Sequence, residues 1–288
     1  MNVHAPKIPA PKIPASETPA RETLTAALPA ETEWLLEHVA HNRFLPQPPA
    51  GSIYVGDGDF LAIGAEFLRH FVTLGGLRRS HRVLDVGCGI GRMAVPLTQF
   101  LHPERGSYEG FDPVLEGVMW CTTTITPAYP RFRFQRLDVA HALYNPQGVV
   151  SGAELVLPFA NRSFDFALMV SVATHLPPDE LAIYLREIAR VLAPGGKLFL
   201  TAFIVDSGAV ETEGRDARLG FVREADGPSW FANAEAPLAA VAFDDGFIDA
   251  LLREAGFDIA LKSLGHWRGR PAPHYQDIFV AMKRGDRP

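Results

Sequence analysis

The sequence predicts an α/β fold in which helices alternate with the strands of a mostly parallel sheet. Three observations support this class. An apolar strand runs into a glycine-rich turn and a helix within residues 82–97. Two further strands, at 107–112 and 132–139, end in or next to an acidic residue. Finally, within residues 187–200 a helix is followed by a Pro-Gly-Gly turn and then an apolar strand. Ligands bind at the carboxyl edge of such sheets, so a pocket is expected where these strands end.

The first strand and the turn after it form the clearest local signal. Residues 82–86 supply an apolar strand, and Gly87, Gly89 and Gly91 supply a turn without Cβ atoms, where a ligand can approach the backbone closely. Residues 93–97 are apolar and can open a helix, whose N–H groups and positive dipole end would face the ligand. The turn predicts a nucleotide-type site; the alternative is a crossover with glycines for tight packing.

The glycine spacing indicates which nucleotide. A dinucleotide fingerprint counted from Gly87 would place its third glycine at position 92, which is Arg92. Here the third glycine is Gly91, and Asp85 stands two residues before the first, a pattern that resembles motif I of the class I S-adenosylmethionine (SAM)-dependent methyltransferases. The resemblance implies a Rossmann-like sheet with helices on both faces and a C-terminal antiparallel strand. It also implies SAM as donor, S-adenosylhomocysteine (SAH) as product, and donor contacts from Asp85, Gly87, Cys88, Gly89, Gly91 and Arg92.

Acids at the ends of the next two strands fit the same ligand. Asp112 lies 21 residues after Gly91, close to the ~20-residue spacing of a ribose-binding acid, and Pro113 follows it. The alternative is a helix N-cap, and both roles can coexist. The resemblance assigns Asp138 to the adenine amino group and Val139 to packing on the ring. The alternative there is a surface acid that closes a strand.

The fourth strand, at 166–170, is followed by the loop 171–177, in which the resemblance implies donor contacts from Ser171 and Val172. His175 in this loop is the candidate general base, because a hydroxyl acceptor must lose a proton and histidine has an ordinary pKa near ~6.5. In the alternative interpretation His175 caps or packs the helix that begins near Pro177. With the Pro-Gly-Gly turn before strand five, the resemblance covers about residues 60–205.

The flanking segments suggest a domain plan. Residues 6–15 repeat Pro-Lys-Ile-Pro-Ala in tandem, which predicts a disordered Pro-rich tail over residues 1–30. Residues 31–75 predict an N-terminal helical cap. The SAM-binding domain then spans 76–288, with 206–242 as a lid insertion, because compact domains rarely keep a ~35-residue irregular connection unless it is functional. Near its end we expect a helix over 243–257 and strands over 258–264 and 277–282.

Aromatic and polar side chains outside these motifs are candidates for acceptor contact. Tyr54 and Phe60 precede or open the cap helix, and an aromatic ring gains from cation–π attraction to a sulfonium. The alternative for both is core packing. Further candidates come from the connection between strands three and four, from the lid, and from the polar aromatic loop between the last two strands: Tyr144, Trp230, His266, Trp267 and Arg268.

Composition bounds the classes of partner. The chain has 288 residues, 47% of them hydrophobic, with a formal net charge of −6. An acidic protein is a poor candidate for phosphate-backbone binding, so nucleic acid is a disfavoured partner. The two cysteines form no C-x-x-C pair, and no His/Asp/Glu cluster has metal-ligand spacing, so no metal is predicted. The N-terminus lacks a signal-peptide pattern and no window of ~18 apolar residues exists, which predicts a cytoplasmic protein without a membrane span.

These observations together predict an enzyme that moves a methyl group by SN2 displacement from SAM to an oxygen or nitrogen of a small metabolite or sugar. The motifs of amino-group DNA methylases and the Pro-Cys of cytosine-C5 methylases are absent from the sequence. Two alternatives stay open: a protein or RNA methyltransferase of the same fold, and a non-catalytic SAM-binding protein. An NAD-dependent oxidoreductase is disfavoured because position 92 is not glycine.

Overall fold

The computed structural model describes residues 28–56, 58–206 and 219–285, so the predicted tail lies almost wholly outside the described residues. Two β-sheets are present in this part of the chain. Their strands are β1 Arg82–Val86, β2 Ser107–Asp112, β3 Phe132–Arg136, β4 Phe164–Met169, β5 Leu192–Ala202, β6 Ile204–Val205, β7 Val222–Arg223, β8 Ser229–Phe231, β9 Val241–Asp244, β10 Phe257–Ser263 and β11 Asp277–Lys283.

The main sheet has seven strands in the order β3-β2-β1-β4-β5-β11-β10. Neighbours from β3 to β5 pair in parallel, whereas β11 runs antiparallel to both β5 and β10. This confirms the predicted α/β class, a mostly parallel sheet with a C-terminal antiparallel strand. The order reverses between β1 and β4, so the carboxyl ends of β1, β2 and β4 border one crevice, the place where open α/β sheets bind ligands.

Helices cover both faces of the main sheet. Period-two alternation sends Val83 and Phe166 to one core and Leu84 and Ala167 to the other. The first core also contains α1, α2 and α3, and the second contains α5 and α6. The helices are α1 Ala30–His41, α2 Phe60–Thr73, α3 Ala94–Phe100, α4 Leu115–Thr124, α5 Pro178–Val191 and α6 Phe247–Glu254.

Local chemistry explains where these helices begin. The Asp59 side chain accepts a hydrogen bond of 2.7 Å from the Ala62 N–H and so caps α2, and Pro178 opens α5. The predicted helix over 243–257 is present, but its predicted start was wrong. Residues 243 and 244 pair as part of β9, Gly246 adopts a left-handed φ of 85°, and α6 begins only at Phe247.

The segment expected as an irregular lid carries a second sheet, ordered β6-β9-β8-β7, which follows directly from β5. Residues 207–218 of this segment lie outside the described residues. The sequence did not reveal these strands because runs of two to four residues are too short to show a period. No helix in the described ranges is both long and apolar enough to cross a membrane.

Candidate functional site

A cavity of about 550 Å³ lies at the carboxyl ends of β1, β2 and β4. This volume is within the range of roughly 300–1,000 Å³ typical of small-molecule pockets. Its wall is built from the glycine turn after β1, the turns after β2 and β3, the loop after β4, residues of α2 and α5, and the turn before β9. Segments distant in the sequence therefore meet at one site.

The glycine turn bends back under the cavity. The N–H groups of Gly87 and Cys88 both donate to the Phe111 carbonyl at 2.9 Å, which ties the turn to the end of β2. Gly87 and Gly89 line the cavity with left-handed φ values of 75° and 54°. A Cβ at Gly87 would collide with the Val172 side chain, so this backbone forms a cradle that larger residues would fill.

Gly91 does not line the cavity, contrary to its expected donor contact. Its φ is 81°, and a Cβ there would lie 2.8 Å from Sγ of Cys121 on α4. The turn approaches α4 so closely that position 91 has no room for a side chain. The glycine at this position therefore allows the turn to pack against α4. Arg92 lines the cavity, where it donates from Nη2 to the Gly56 carbonyl at 2.7 Å.

Asp112 stands at the end of β2 with its carboxylate at the cavity wall. Its Oδ2 accepts from the Gly89 N–H at 2.8 Å and its Oδ1 from the Val114 N–H at 2.9 Å. The bond from Val114 closes a turn just before α4, whose N-cap is Val114 and has no side-chain cap, and Asp112 lines the cavity alongside Pro113. Burial raises the pKa of Asp112 to about 6, and the two N–H donors oppose that rise.

Asp85 is 1% exposed and lies beneath the same part of the cavity. Its Oδ2 accepts from the Tyr108 hydroxyl at 2.5 Å. Burial, with the nearby Asp112 carboxylate, raises the pKa of Asp85 to about 7, against the lowering effect of the Tyr108 hydrogen bond. Two carboxylates in one desolvated wall favour a cationic ligand, because a positive charge would stabilise their ionised forms.

Asp138 is turned away from the cavity. Its Oδ1 accepts from Arg136 Nη2 at 2.7 Å and from Asn145 Nδ2 at 2.9 Å. This carboxylate thus holds together β3 and the loop that follows it. Val139 does line the cavity, so of the two residues expected at an adenine ring, only the apolar one is at the wall.

Two polar atoms at the wall are buried: the Thr174 hydroxyl has no hydrogen-bond partner among the described residues, and the Tyr54 hydroxyl faces the Asp112 carboxylate. The Tyr54 hydroxyl packs against Gly117 of α4, and a Cβ at that position would collide with it. Buried polar groups are almost always paired, so unpaired ones in a cavity point to a bound partner. These atoms, the glycine cradle and the two carboxylates fit a polar, cationic nucleoside such as SAM.

The loop after β4 is held in a rarely populated conformation. Ser171 has a φ of 57°, its N–H donates to Oγ1 of Thr201 at 2.8 Å, and its hydroxyl donates to Oε1 of Gln276 at 2.9 Å. Thr201 donates to the same Gln276 oxygen at 2.6 Å. Non-glycine residues persist in this region only when the surroundings enforce it, commonly at ligand sites. Ser171, Val172 and Gln276 all line the cavity.

His175 also lines the cavity, and its two ring nitrogens have different partners. Nδ1 lies 2.9 Å from the Leu238 carbonyl, which can only accept, so Nδ1 carries the proton. In the neutral ring Nε2 is then an acceptor, and it lies 3.3 Å from the Tyr144 hydroxyl. Burial lowers the pKa of His175, and the Leu238 hydrogen bond opposes this. The ring is therefore oriented to accept a proton at Nε2.

His141 fixes the position of Tyr144 and the His175 loop. Its Nδ1 accepts from the N–H groups of Leu143 and Tyr144 at 3.2 and 3.3 Å, and its Nε2 donates to the His175 carbonyl at 2.9 Å. The long connection between β3 and β4 thereby meets the loop after β4. The sequence offered His141 only as one polar residue within that connection, since nothing local indicates its partner.

Tyr54 and Tyr144 line the cavity, whereas the other acceptor candidates do not. Phe60 is buried against Trp120, with the Arg92 guanidinium 5.8 Å from its ring centroid. Trp230 donates from Nε1 to Oδ1 of Asp244 at 2.9 Å within the second sheet. These two aromatic side chains therefore pack inside the protein.

Within the polar aromatic loop between β10 and β11, His266, Trp267 and Arg268 lie away from the cavity wall, whereas Tyr275 and Gln276 line it. Arg268 is 2% exposed and bonds to Oδ1 of Asp277 and to Asp206, both at 3.0 Å. Trp267 is 1% exposed and donates to the other Asp277 oxygen at 3.0 Å, and His266 packs on the edge of Tyr275. A buried arginine needs such partners, so Arg268 and Trp267 have structural contacts here, and an acceptor role for them stays a prediction.

Several wall residues had no role in the sequence interpretation: Ile63 and Phe67 of α2, Glu180 and Tyr184 of α5, and Tyr275 and Gln276 before β11. Within each helix the pair is four residues apart, a spacing that marks one helical face. That spacing was a usable signal, but it does not tell which face meets a cavity. Among the described residues, no group of three His, Cys, Asp or Glu side chains is placed to hold a metal ion.

Comparisons with known proteins agree with this geometry. A family model described as a methyltransferase domain matches residues 60–261. A phthiotriol/phenolphthiotriol dimycocerosates methyltransferase of Mycobacterium ulcerans is 38% identical over 120 residues, covering 42% of this chain and 36% of that protein. A fatty-acid O-methyltransferase of Mycolicibacterium smegmatis is 31% identical over 154 residues, covering 54% and 48%. The matches span less than half the length of these two relatives.

Among solved structures, a similar fold occurs in the 1,6-didemethyltoxoflavin-N1-methyltransferase of Burkholderia thailandensis, crystallised with 1,6-didemethyltoxoflavin and SAH. It has a TM-score of 0.52 and 21% identity, and the match covers 90% of this chain and 92% of that chain. At this level of identity the comparison supports the fold.

Proposed function

This chain belongs to the family described as a methyltransferase domain, and from that premise we propose that it transfers a methyl group from SAM to a small molecule. The acceptor atom is an oxygen or a nitrogen, with a hydroxyl oxygen favoured. One observation carries the proposal: a single cavity joins the donor-type wall of Asp85, Gly89 and Asp112 to the oriented pair of His175 and Tyr144.

The donor end of the cavity suits SAM on charge and shape. SAM supplies an electrophilic methyl group on a sulfonium. Asp112 would bind the ribose hydroxyls, Asp85 would face the cationic amino-acid end, and Gly87 and Gly89 would let the ligand approach the backbone. Val139 would pack on the adenine. The unpaired Thr174 hydroxyl would supply a further hydrogen bond.

The acceptor end supplies proton removal and exclusion of water. His175, neutral at pH 7 because burial lowers its pKa, presents an unprotonated Nε2. Tyr144 stands within hydrogen-bond reach of that nitrogen and can relay a proton from an acceptor hydroxyl. Ile63 and Phe67 add apolar surface from α2. A dry, aligned site is the main requirement of an SN2 displacement.

The second sheet belongs to the acceptor end in this proposal. Ala239 and Ala240, just before β9, line the cavity, and the preceding Leu238 carbonyl sets the tautomer of His175. The turn at 237–240 therefore closes this side of the cavity and also positions the base. The fatty-acid O-methyltransferase relative supports an oxygen acceptor and a small-molecule substrate.

The test is transfer of label from methyl-labelled SAM into a size-fractionated cell extract, with SAH binding to the purified protein measured by calorimetry. His175→Gln is compared with His41→Gln, a change at an exposed residue on α1. We expect SAH binding by all three proteins, and label in the small-molecule fraction that is lost only with His175→Gln.

Other outcomes separate the alternatives. Label in protein or RNA would replace the small-molecule acceptor with a macromolecule. SAH binding without label in any fraction would favour a non-catalytic SAM-binding protein. Failure to bind either SAM or SAH would refute the proposal.

A further inference from the structure

The first two turns of α5 present two polar side chains to the acceptor end of the cavity. Glu180 and Tyr184 are four residues apart, so they share one helical face, and both line the cavity. Leu181 and Leu185, next to them in sequence, are fully buried in the core instead. The rotation of α5 thus directs this one carboxylate and this one phenol toward the cavity.

Neither group has a hydrogen bond or an ion pair within the described residues, although Glu180 is half-buried and Tyr184 is 7% exposed. A glutamate at the third helical position usually accepts from the backbone N–H of the N-cap residue. Here the N-cap is Pro177, which has no N–H. The sequence of α5 therefore removes the ordinary local partner of the Glu180 carboxylate.

Gly152 makes room for this carboxylate. A Cβ at Gly152, in the 3₁₀ turn before β4, would collide with Oε2 and Cδ of Glu180. The carboxylate thus packs on a bare backbone while it faces the cavity. Burial raises the pKa of Glu180, and the Asp179 carboxylate adds to that rise. No hydrogen-bond donor from the described residues opposes this effect.

A ligand that satisfies both groups must donate to Glu180, since an ionised carboxylate only accepts, and it can either donate to or accept from the Tyr184 hydroxyl, which does both. A hydroxyl or a protonated amine meets this requirement, whereas a carboxylate or phosphate would be repelled. Resting on the proposed function, we propose that Glu180 and Tyr184 select acceptors with a hydrogen-bond-donating, non-anionic group away from the methylated atom.

Two phenols of similar size test this selection: tyramine, which carries an ammonium group, and 4-hydroxyphenylacetate, which carries a carboxylate. Each is titrated by calorimetry at pH 7.5 into the full-length protein saturated with SAH. We expect tyramine to bind at least about tenfold more tightly, the scale of one charge-assisted hydrogen bond. Glu180→Gln should remove most of that preference, and Tyr184→Phe should weaken tyramine binding by several-fold.

Two further variants make the comparison specific. Asp179→Asn removes the same charge one residue away, at an exposed position off the cavity wall, and should keep the preference. Gly152→Ala keeps every charge but displaces the Glu180 carboxylate, and should reduce the preference as Glu180→Gln does.

The selection is refuted if the wild-type complex binds the two phenols equally, prefers the carboxylate, or binds neither. A preference that survives Glu180→Gln refutes it as well. In these cases SAH binding still stands, so the proposed methyl transfer is unaffected. Failure of SAH itself to bind would instead remove the proposed function, and this selection with it.

Discussion

Replacing Asp85 by Asn is expected to stabilise the protein at neutral pH and to weaken binding of SAH. Asp85 is 1% exposed, and burial raises its pKa from the ordinary 3.8 to about 7. The folded chain therefore holds this proton more tightly than the unfolded chain does. Ionisation costs stability as the pH rises from about 4 to about 7, and the cost is complete above that window.

The magnitude follows from the two pKa values of Asp85. Linkage gives a cost of about 1.7 kcal/mol at pH 5 and about 4 kcal/mol at pH 8. The Asn amide must find partners of its own, which costs about 1–3 kcal/mol at either pH. The gain of Asp85→Asn in unfolding free energy should therefore be about 2–3 kcal/mol larger at pH 8 than at pH 5.

Urea denaturation of both proteins at pH 5 and pH 8 measures this difference. Asp226→Asn, at an exposed position of the second sheet, is the matched control and should show no comparable pH-dependent gain. Calorimetry at pH 8 should show weaker SAH binding by Asp85→Asn, because the variant lacks the charge that faces the ligand's cationic end. An equal stability change at both pH values would refute the argument that Asp85 is a desolvated, ionised group.

Four other changes test separate parts of the site. Asp112→Ala should lower SAH affinity by at least about tenfold in calorimetry, as loss of charge-assisted bonds requires; unchanged affinity in a folded variant would contradict its ribose role. The rate of methyl transfer should fall with acid as His175 gains a proton, with a midpoint below ~6.5 because burial lowers its pKa; a midpoint above that value in a pH–rate profile would exclude His175 as the base. Gly89→Ala should cost about 1–2 kcal/mol in thermal unfolding, since its φ is 54°, and should also reduce SAH binding; a fully stable variant would argue against strain there. Arg268→Met should cost about 3 kcal/mol or more in urea because Asp277, 0% exposed, loses its cation; a neutral effect would show that the N–H donors to Asp277 suffice.

The main sheet and its turn were largely predictable. The β1 strand, the glycine turn and the acids at the strand ends could be predicted because each depends on a short-range pattern. These patterns are apolar runs, glycine spacing and turn-forming residues at the strand ends. The placement of Asp85 and Asp112 at the wall followed from parallel strands that end at one edge. Gly91 and Phe60, which were predicted to contact the ligand, do not line the cavity, since a glycine or an aromatic residue near a turn serves packing equally well.

The acceptor end could not be predicted in the same way, because its groups meet through contacts that span the chain. His175 bonds to Leu238 across 63 positions and Ser171 to Gln276 across 105. No local pattern encodes which loops meet, since this depends on strand order and on how helices rotate against the sheet. For that reason the exposure of Glu180 to the cavity appears only in three dimensions.

The sequence by itself determined the α/β class, the glycine cradle and the acids of the donor end, since each arises within about one strand-turn-helix unit. Only the tertiary structure decided that Asp138 turns away, that Arg268 is buried on Asp277, and that the unprotonated Nε2 of His175 faces the Tyr144 hydroxyl. The physical reason is the range of the interactions. Hydrogen bonds and periodicity within a unit specify local form, whereas burial and the pairing of polar side chains depend on what the rest of the fold brings beside them.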